Sequence, residues 1–283
     1  MKDDHTIWFF SDEPYLNWEE GAWAPRRPRC LGRGMEMPPQ AQAVLGEFER
    51  RSAAFNSGQP MPLILDDAAA IGPGTAHTSR VRWLAGSGRE RLKGLVVYLR
   101  PGSRSNLYAV LHEVAHNLLY TEGLARLQAP PFAPSDTLAL ISQISTSTSH
   151  PLAMRILEEF NFHVFPHEAA RAERFLRQAV RGATELGGDQ VALLAAEFAV
   201  ALGHFWMAGA LPVLRRWGQA VADRAETLRA PLERCYHGVP ETEEARAEIL
   251  EMLFVNVPTH SQNPLETVPG PGKGADEWLE AIV

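Results

Sequence analysis

The stretch that most restricts what this chain can become is Leu111-His112-Glu113-Val114-Ala115-His116-Asn117-Leu118-Leu119-Tyr120. It sets His-Glu-x-x-His inside an apolar pattern of helical period carried by Leu107, Val110, Leu111, Val114, Leu118 and Leu119. Residues four apart on a helix lie on one face, one turn above each other, so His112 and His116 can offer two imidazoles to a single metal ion. Glu113 then stands beside the pair, placed as a base toward a metal-activated water. The helix is predicted from about Asn106 to Thr121, with Ser103 or Ser105 able to cap its start and Gly123 its end.

The surroundings read as strands before this helix and helices after it. A first helix is predicted over about Gln40 to Phe55, on the repeat of Val44, Leu45, Phe48 and Phe55, and Asn56-Ser57-Gly58 ends it. Strand-like runs follow at 61–66, 80–85 and 94–99, separated by turns rich in Gly, Pro and Ser. Beyond Gly123 the pattern is almost wholly helical. Segments are expected from Ser135 to about Ser145, then from Pro151, a residue suited to a first helical position. Others cover about His167–Leu186, Asp189–Met207, Leu211–Leu228 and Glu241–Val255. The fold class expected is α+β: a small sheet over the metal-binding helix, then a mainly α-helical C-terminal region. Four parts are expected along the chain. Residues 1–40 form an irregular, aromatic arm and linker, and 41–165 the metal-binding core. Residues 166–257 form a helical subdomain, and 258–283 a tail rich in Pro and Gly.

Strands followed by a helix bearing His-Glu-x-x-His resemble the zincin metallopeptidases over roughly residues 60–165. The resemblance implies that the sheet is twisted and mostly antiparallel. It also implies that His112 and His116 are zinc ligands and that Glu113 is the catalytic base, passing a proton to the leaving amine. The function it implies is a zinc-dependent metallopeptidase acting on a peptide or protein substrate. The alternative is a metal-binding regulatory or interaction protein that retains the core but cleaves little.

Two histidines and a base still need a third protein ligand. The metzincin extension would place glycine at position 119 and histidine at 122, where this chain has Leu119 and Glu122, so that subclass is excluded. Glu122 itself is rotated away from the histidine face on a continuing helix. His150 is the leading candidate; it follows the polar run Ser142–Ser149 and sits at the expected helix junction before Pro151. The segment from His150-Pro151-Leu152 to Phe160, after the motif and Glu122-Gly123, resembles an uncharacterised bacterial group of metallopeptidase-like proteins. That gives a three-histidine site. The other reading takes a glutamate from the next helix. With Leu152, Ile156, Leu157 and Phe160 as its buried stripe, Glu159 flanks the stripe and Glu158 points away. Glu168 and Glu173 more weakly resemble the second helix of a peptidase family that includes phage-repressor-cleaving regulators. His163 and His167 are further ligand or acid–base candidates. His204, beside Phe205 and Trp206, reads as a hydrogen-bonded core histidine, and Tyr120 as a packed tyrosine.

Composition excludes some classes. A formal net charge of -7 argues against nucleic acid as the main partner. No run of about 18 apolar residues suggests a membrane span, and the start lacks the features of a signal peptide. The two cysteines, Cys30 and Cys235, form no disulfide framework, so a cytoplasmic protein with free thiols is expected.

Overall fold

The computed structural model describes residues 38–54, 58, 107–127, 133–181 and 186–255, together with the backbone of the strand segments outside these ranges. By its internal contacts the chain divides into two compact units. One is Met1–Thr121 with Asn263–Val283, the other Glu122–Gln262. The contacts thus part directly after the helix that carries His112 and His116, whereas the sequence reading places its division near residue 165. The aromatic arm and linker and the C-terminal tail lie almost wholly outside the described residues.

The expected α+β class is overturned. The part described in full is 83% helical, without a sheet, and its class is all-helical. The backbone does trace strands β1 (Ile7–Phe9), β2 (Arg29–Cys30), β3 (Leu63–Asp67), β4 (Ala76–Ala85) and β5 (Arg91–Leu99). Their order is β2-β1-β3-β5-β4. β3 runs parallel to both β1 and β5, and only β1/β2 and β4/β5 are antiparallel. Even these strands therefore depart from the mostly antiparallel sheet that was expected. Short apolar runs signal an extended backbone but carry no information on which neighbour pairs with them or in which direction.

In the first unit, α1 (Pro39–Ser52) packs on α2 (Leu107–Thr121). Pro39 opens α1 with a φ already suited to a helix. Ala41, Val44, Leu45, Phe48 and Ser52 form its buried stripe. On α2 burial extends around most of the helix, including Val110, Leu111, Val114, Ala115, Leu118 and Leu119. The less buried strip carries Glu113, His116 and Tyr120.

The second unit contains α3 (Ser135–Glu159), α4 (Phe165–Val180), α5 (Gly188–Leu202), α6 (His204–Trp217), α7 (Gln219–Arg234) and α8 (Val239–Met252). A two-stranded ladder, β6 (Arg126–Leu127) with β7 (Thr259–His260), joins its ends. α5 is the centre and packs against α3, α4, α6 and α7. Its alanines at 192, 195, 196 and 199, all buried, let these neighbours approach closely. Two expected helices prove to be broken by glycine. Gly203, at φ 87 and ψ 175, separates α5 from α6, and Gly218, at φ 144, separates α6 from α7. Both conformations are ones that an L side chain resists.

α3 corrects the sequence in the opposite sense: it runs through Pro151 without ending. Proline removes the N–H that would serve the Ser147 carbonyl and normally kinks or stops a helix. The preceding hydroxyls turn back onto other carbonyls of the helix and do not serve that one. Thr148 Oγ1 donates to the Ile144 carbonyl at 2.7 Å and Ser149 Oγ to that of Ser145 at 2.8 Å. Burial of Leu152, Ala153, Met154, Ile156 and Leu157 beyond the proline holds the second half in line. His150 therefore sits inside a continuous helix, not at a junction.

Candidate metal centre

On α2, the Nε2 atoms of His112 and His116 lie 3.0 Å apart, with ring centroids 4.6 Å apart and planes at 76°. Tyr108, one turn earlier, places its ring centroid 5.6 Å from that of His112. The i, i+4 spacing alone brings the rings onto one face. Turning both Nε2 atoms to a common point is what a shared cation needs. With Zn–N distances of about 2.0–2.1 Å, two ligands of a tetrahedral ion stand ~3.3 Å apart. His112 is buried and His116 half-buried. Glu113 is half-buried, and its backbone carbonyl accepts from Asn117 Nδ2 at 2.9 Å.

His150 is buried in α3, and its Nδ1 lies 2.6 Å from Oε1 of Glu197 on α5. Glu197 is fully buried. Its Oε2 accepts from Ser147 Oγ, and its Oε1 also accepts from Arg171 Nη2 on α4. Arg171 Nη1 reaches Glu168 Oε2 at 2.8 Å, and the guanidinium lies 4.8 Å from the centre of the Phe198 ring. Gln143 Nε2 donates to Ser147 Oγ at 2.8 Å. Burial by itself would raise the pKa of the Glu197 carboxyl. The Arg171 guanidinium, the His150 ring and the hydrogen bonds from His150 and Ser147 outweigh it and hold the group well below the usual carboxylate range. Ionised, Glu197 only accepts, so the His150 Nδ1–H donates.

The sequence-predicted ligands divide between the units, His112 and His116 in the first and His150 in the second. Glu159, the other third-ligand candidate, is exposed and lies 3.4 Å from Arg155 Nε. Glu158 and Glu122 are exposed. Glu168 is buried against Arg171, and the exposed Glu173 pairs with Arg177 at 2.6 Å. His163 and His167 are exposed, His167 with its ring against Phe162. His204 is not the core histidine expected: the turn at Gly203 puts it at the exposed start of α6, with Nδ1 3.2 Å from Arg229 Nη1. Tyr120 is half-buried.

Sequence reasoning missed Glu197, Arg171 and Ser147. One signal was present: Glu197 is the single charged residue in the otherwise apolar run Val191–Val200. A charge at such a position is kept only with partners. Comparison of the chain with known protein families, with curated proteins and with solved structures finds no match.

Proposed function

We propose that this protein is a metal-dependent hydrolase of peptide bonds, a metallopeptidase, with His112, His116 and His150 as ligands and Glu113 as general base. The observation that supports this most is the convergence of the His112 and His116 Nε2 atoms, 3.0 Å apart on one helix face, with Glu113 next to His112 in sequence. A zinc ion there would polarise a scissile carbonyl and lower the pKa of water toward about 7. The residues of the chain then divide the work. The three histidines supply neutral nitrogen donors and leave the Glu113 carboxylate outside the ligand set. Glu113 accepts the proton of the attacking water and delivers it to the departing amine. An all-imidazole set also accepts other transition ions, so the identity of the metal belongs to the test. The cytoplasmic location is part of the same proposal. Among the described residues no helix is long and apolar enough to cross a membrane.

The deciding experiment pairs elemental analysis of the purified chain with a peptide-library cleavage assay. One transition ion per chain is expected in the wild type, and a marked loss in His116→Ala. Glu113→Gln should keep the ion and lose cleavage by at least about 100-fold, as befits removal of a general base. Wild-type activity in Glu113→Gln would overturn the mechanism. If the ion binds and no peptide is cleaved, the protein is instead a metal-binding regulatory or interaction protein.

A further inference from the structure

Resting on the metal reading above, we propose that Glu197 is a positioning residue of the site. It holds His150 in the Nδ1–H tautomer and leaves Nε2 as the ligating nitrogen, while Ser147 and Arg171 fix the carboxylate itself.

The argument starts from cost. A carboxylate buried in an apolar helix is retained only when its oxygens are satisfied and its charge is balanced. Arg171 alone does not account for Glu197, because the same guanidinium already has Glu168 Oε2 at 2.8 Å. Glu197 instead engages three side chains from two neighbouring helices. Oε1 takes His150 Nδ1 and Arg171, and Oε2 takes Ser147. Ser147 is in turn held by Gln143. The result fixes the carboxylate plane and, through the 2.6 Å contact, the orientation of the imidazole. The Glu197 carboxylate on the Nδ1 side of the ring favours a cation at Nε2. A carboxylate on the second nitrogen of a ligating histidine fixes its tautomer and raises its basicity, and losing such a partner typically costs about 10–100-fold in metal affinity.

The test uses the full chain. Long-range ¹H–¹⁵N spectra of the imidazoles in metal-free protein should show the Nδ1–H tautomer for His150. The population should shift in Glu197→Gln, which keeps the shape and removes the charge. Chelator competition with zinc should give an affinity about 10–100-fold lower in Glu197→Gln, with Glu173→Gln, on the exposed face of α4, unchanged. An Nε2–H tautomer in the wild type overturns the proposal without any variant, so it stays falsifiable if Glu197→Gln does not fold. Wild-type zinc affinity in a folded Glu197→Gln also overturns it, and leaves the metal reading standing. A wild-type chain that binds no transition ion overturns both.

Discussion

Nδ1 of His150 lies 2.6 Å from Oε1 of Glu197, two residues 47 apart in sequence. All of α4 and most of α5 intervene. The contact ties the helix that carries the candidate ligand to the central helix of its unit. The chemistry of the site and the stability of its scaffold thus depend on the same buried carboxylate.

Arg171 should matter more than its partial exposure suggests. Its removal leaves a fully buried carboxylate with one ring N–H and one hydroxyl as partners. Arg171→Ala is expected to destabilise the protein by about 3–5 kcal/mol, the usual cost of stranding one member of a buried pair. Arg177→Ala, on the same helix, breaks only an exposed pair with Glu173 and should cost less than about 0.5 kcal/mol. Urea denaturation of the two variants measures the contrast, and equal losses would contradict the account of Glu197.

Two glycines separated by six positions should respond with opposite signs. Gly203 has φ 87 and ψ 175, and an added Cβ would meet nothing within 4 Å, so Gly203→Ala reports backbone strain alone. A loss of about 1–3 kcal/mol is expected. Gly209 lies inside α6, exposed and equally open around its Cα. Gly209→Ala should stabilise by about 0.5–1 kcal/mol through helix propensity. Thermal melts of the two variants decide the matter.

Cys235 gives stability a dependence on alkaline pH. Its side chain is buried, with Sγ 3.6 Å from the Pro231 carbonyl, and burial pushes the thiol up to about 11 from an ordinary value of 9.0. A folded-state pKa above the unfolded one means that the native state holds its proton longer. The contribution is fully present below about pH 9 and is lost as pH rises toward 11. Relative to Cys235→Ala, the wild type should lose on the order of 2–3 kcal/mol across that window. Denaturation at the two ends, in a Cys30→Ser background, isolates the effect. A difference between the two proteins that does not change with pH would refute it.

Metal should stabilise the fold by mass action. At a free zinc concentration about 100 times the dissociation constant, a site present only in the native state adds about 2.7 kcal/mol. The melting temperature should therefore rise with zinc and return with a chelator. In His116→Ala the rise should largely vanish, because one of the α2 imidazoles is gone. Calorimetric scans with and without chelator supply the measurement, and an equal rise in the variant would place the ion elsewhere.

Much of the helical layout was legible because it is local. α2 falls within a residue of the bounds read from its apolar period and α1 within three, and the face shared by His112 and His116 follows from a spacing of four. The misreadings occur where a local signal was overruled. Pro151 reads as a helix start, yet α3 continues through it because its second half is buried. Gly203 and Gly218 lie inside or beside periodic patterns, yet both adopt a positive φ and end helices.

Taken alone, the sequence determined two imidazoles on one helix face, a carboxylate beside them and a helical second half. All three follow from residue type and from periods of a few positions. Tertiary structure decided what depends on residues far apart. It decided the all-helical class of the described part and the parallel partners of β3. It also supplied Glu197 as the partner of His150. The reason is physical: a helix forms from its own neighbours in the chain, whereas a buried carboxylate has meaning only through the groups that packing brings to it.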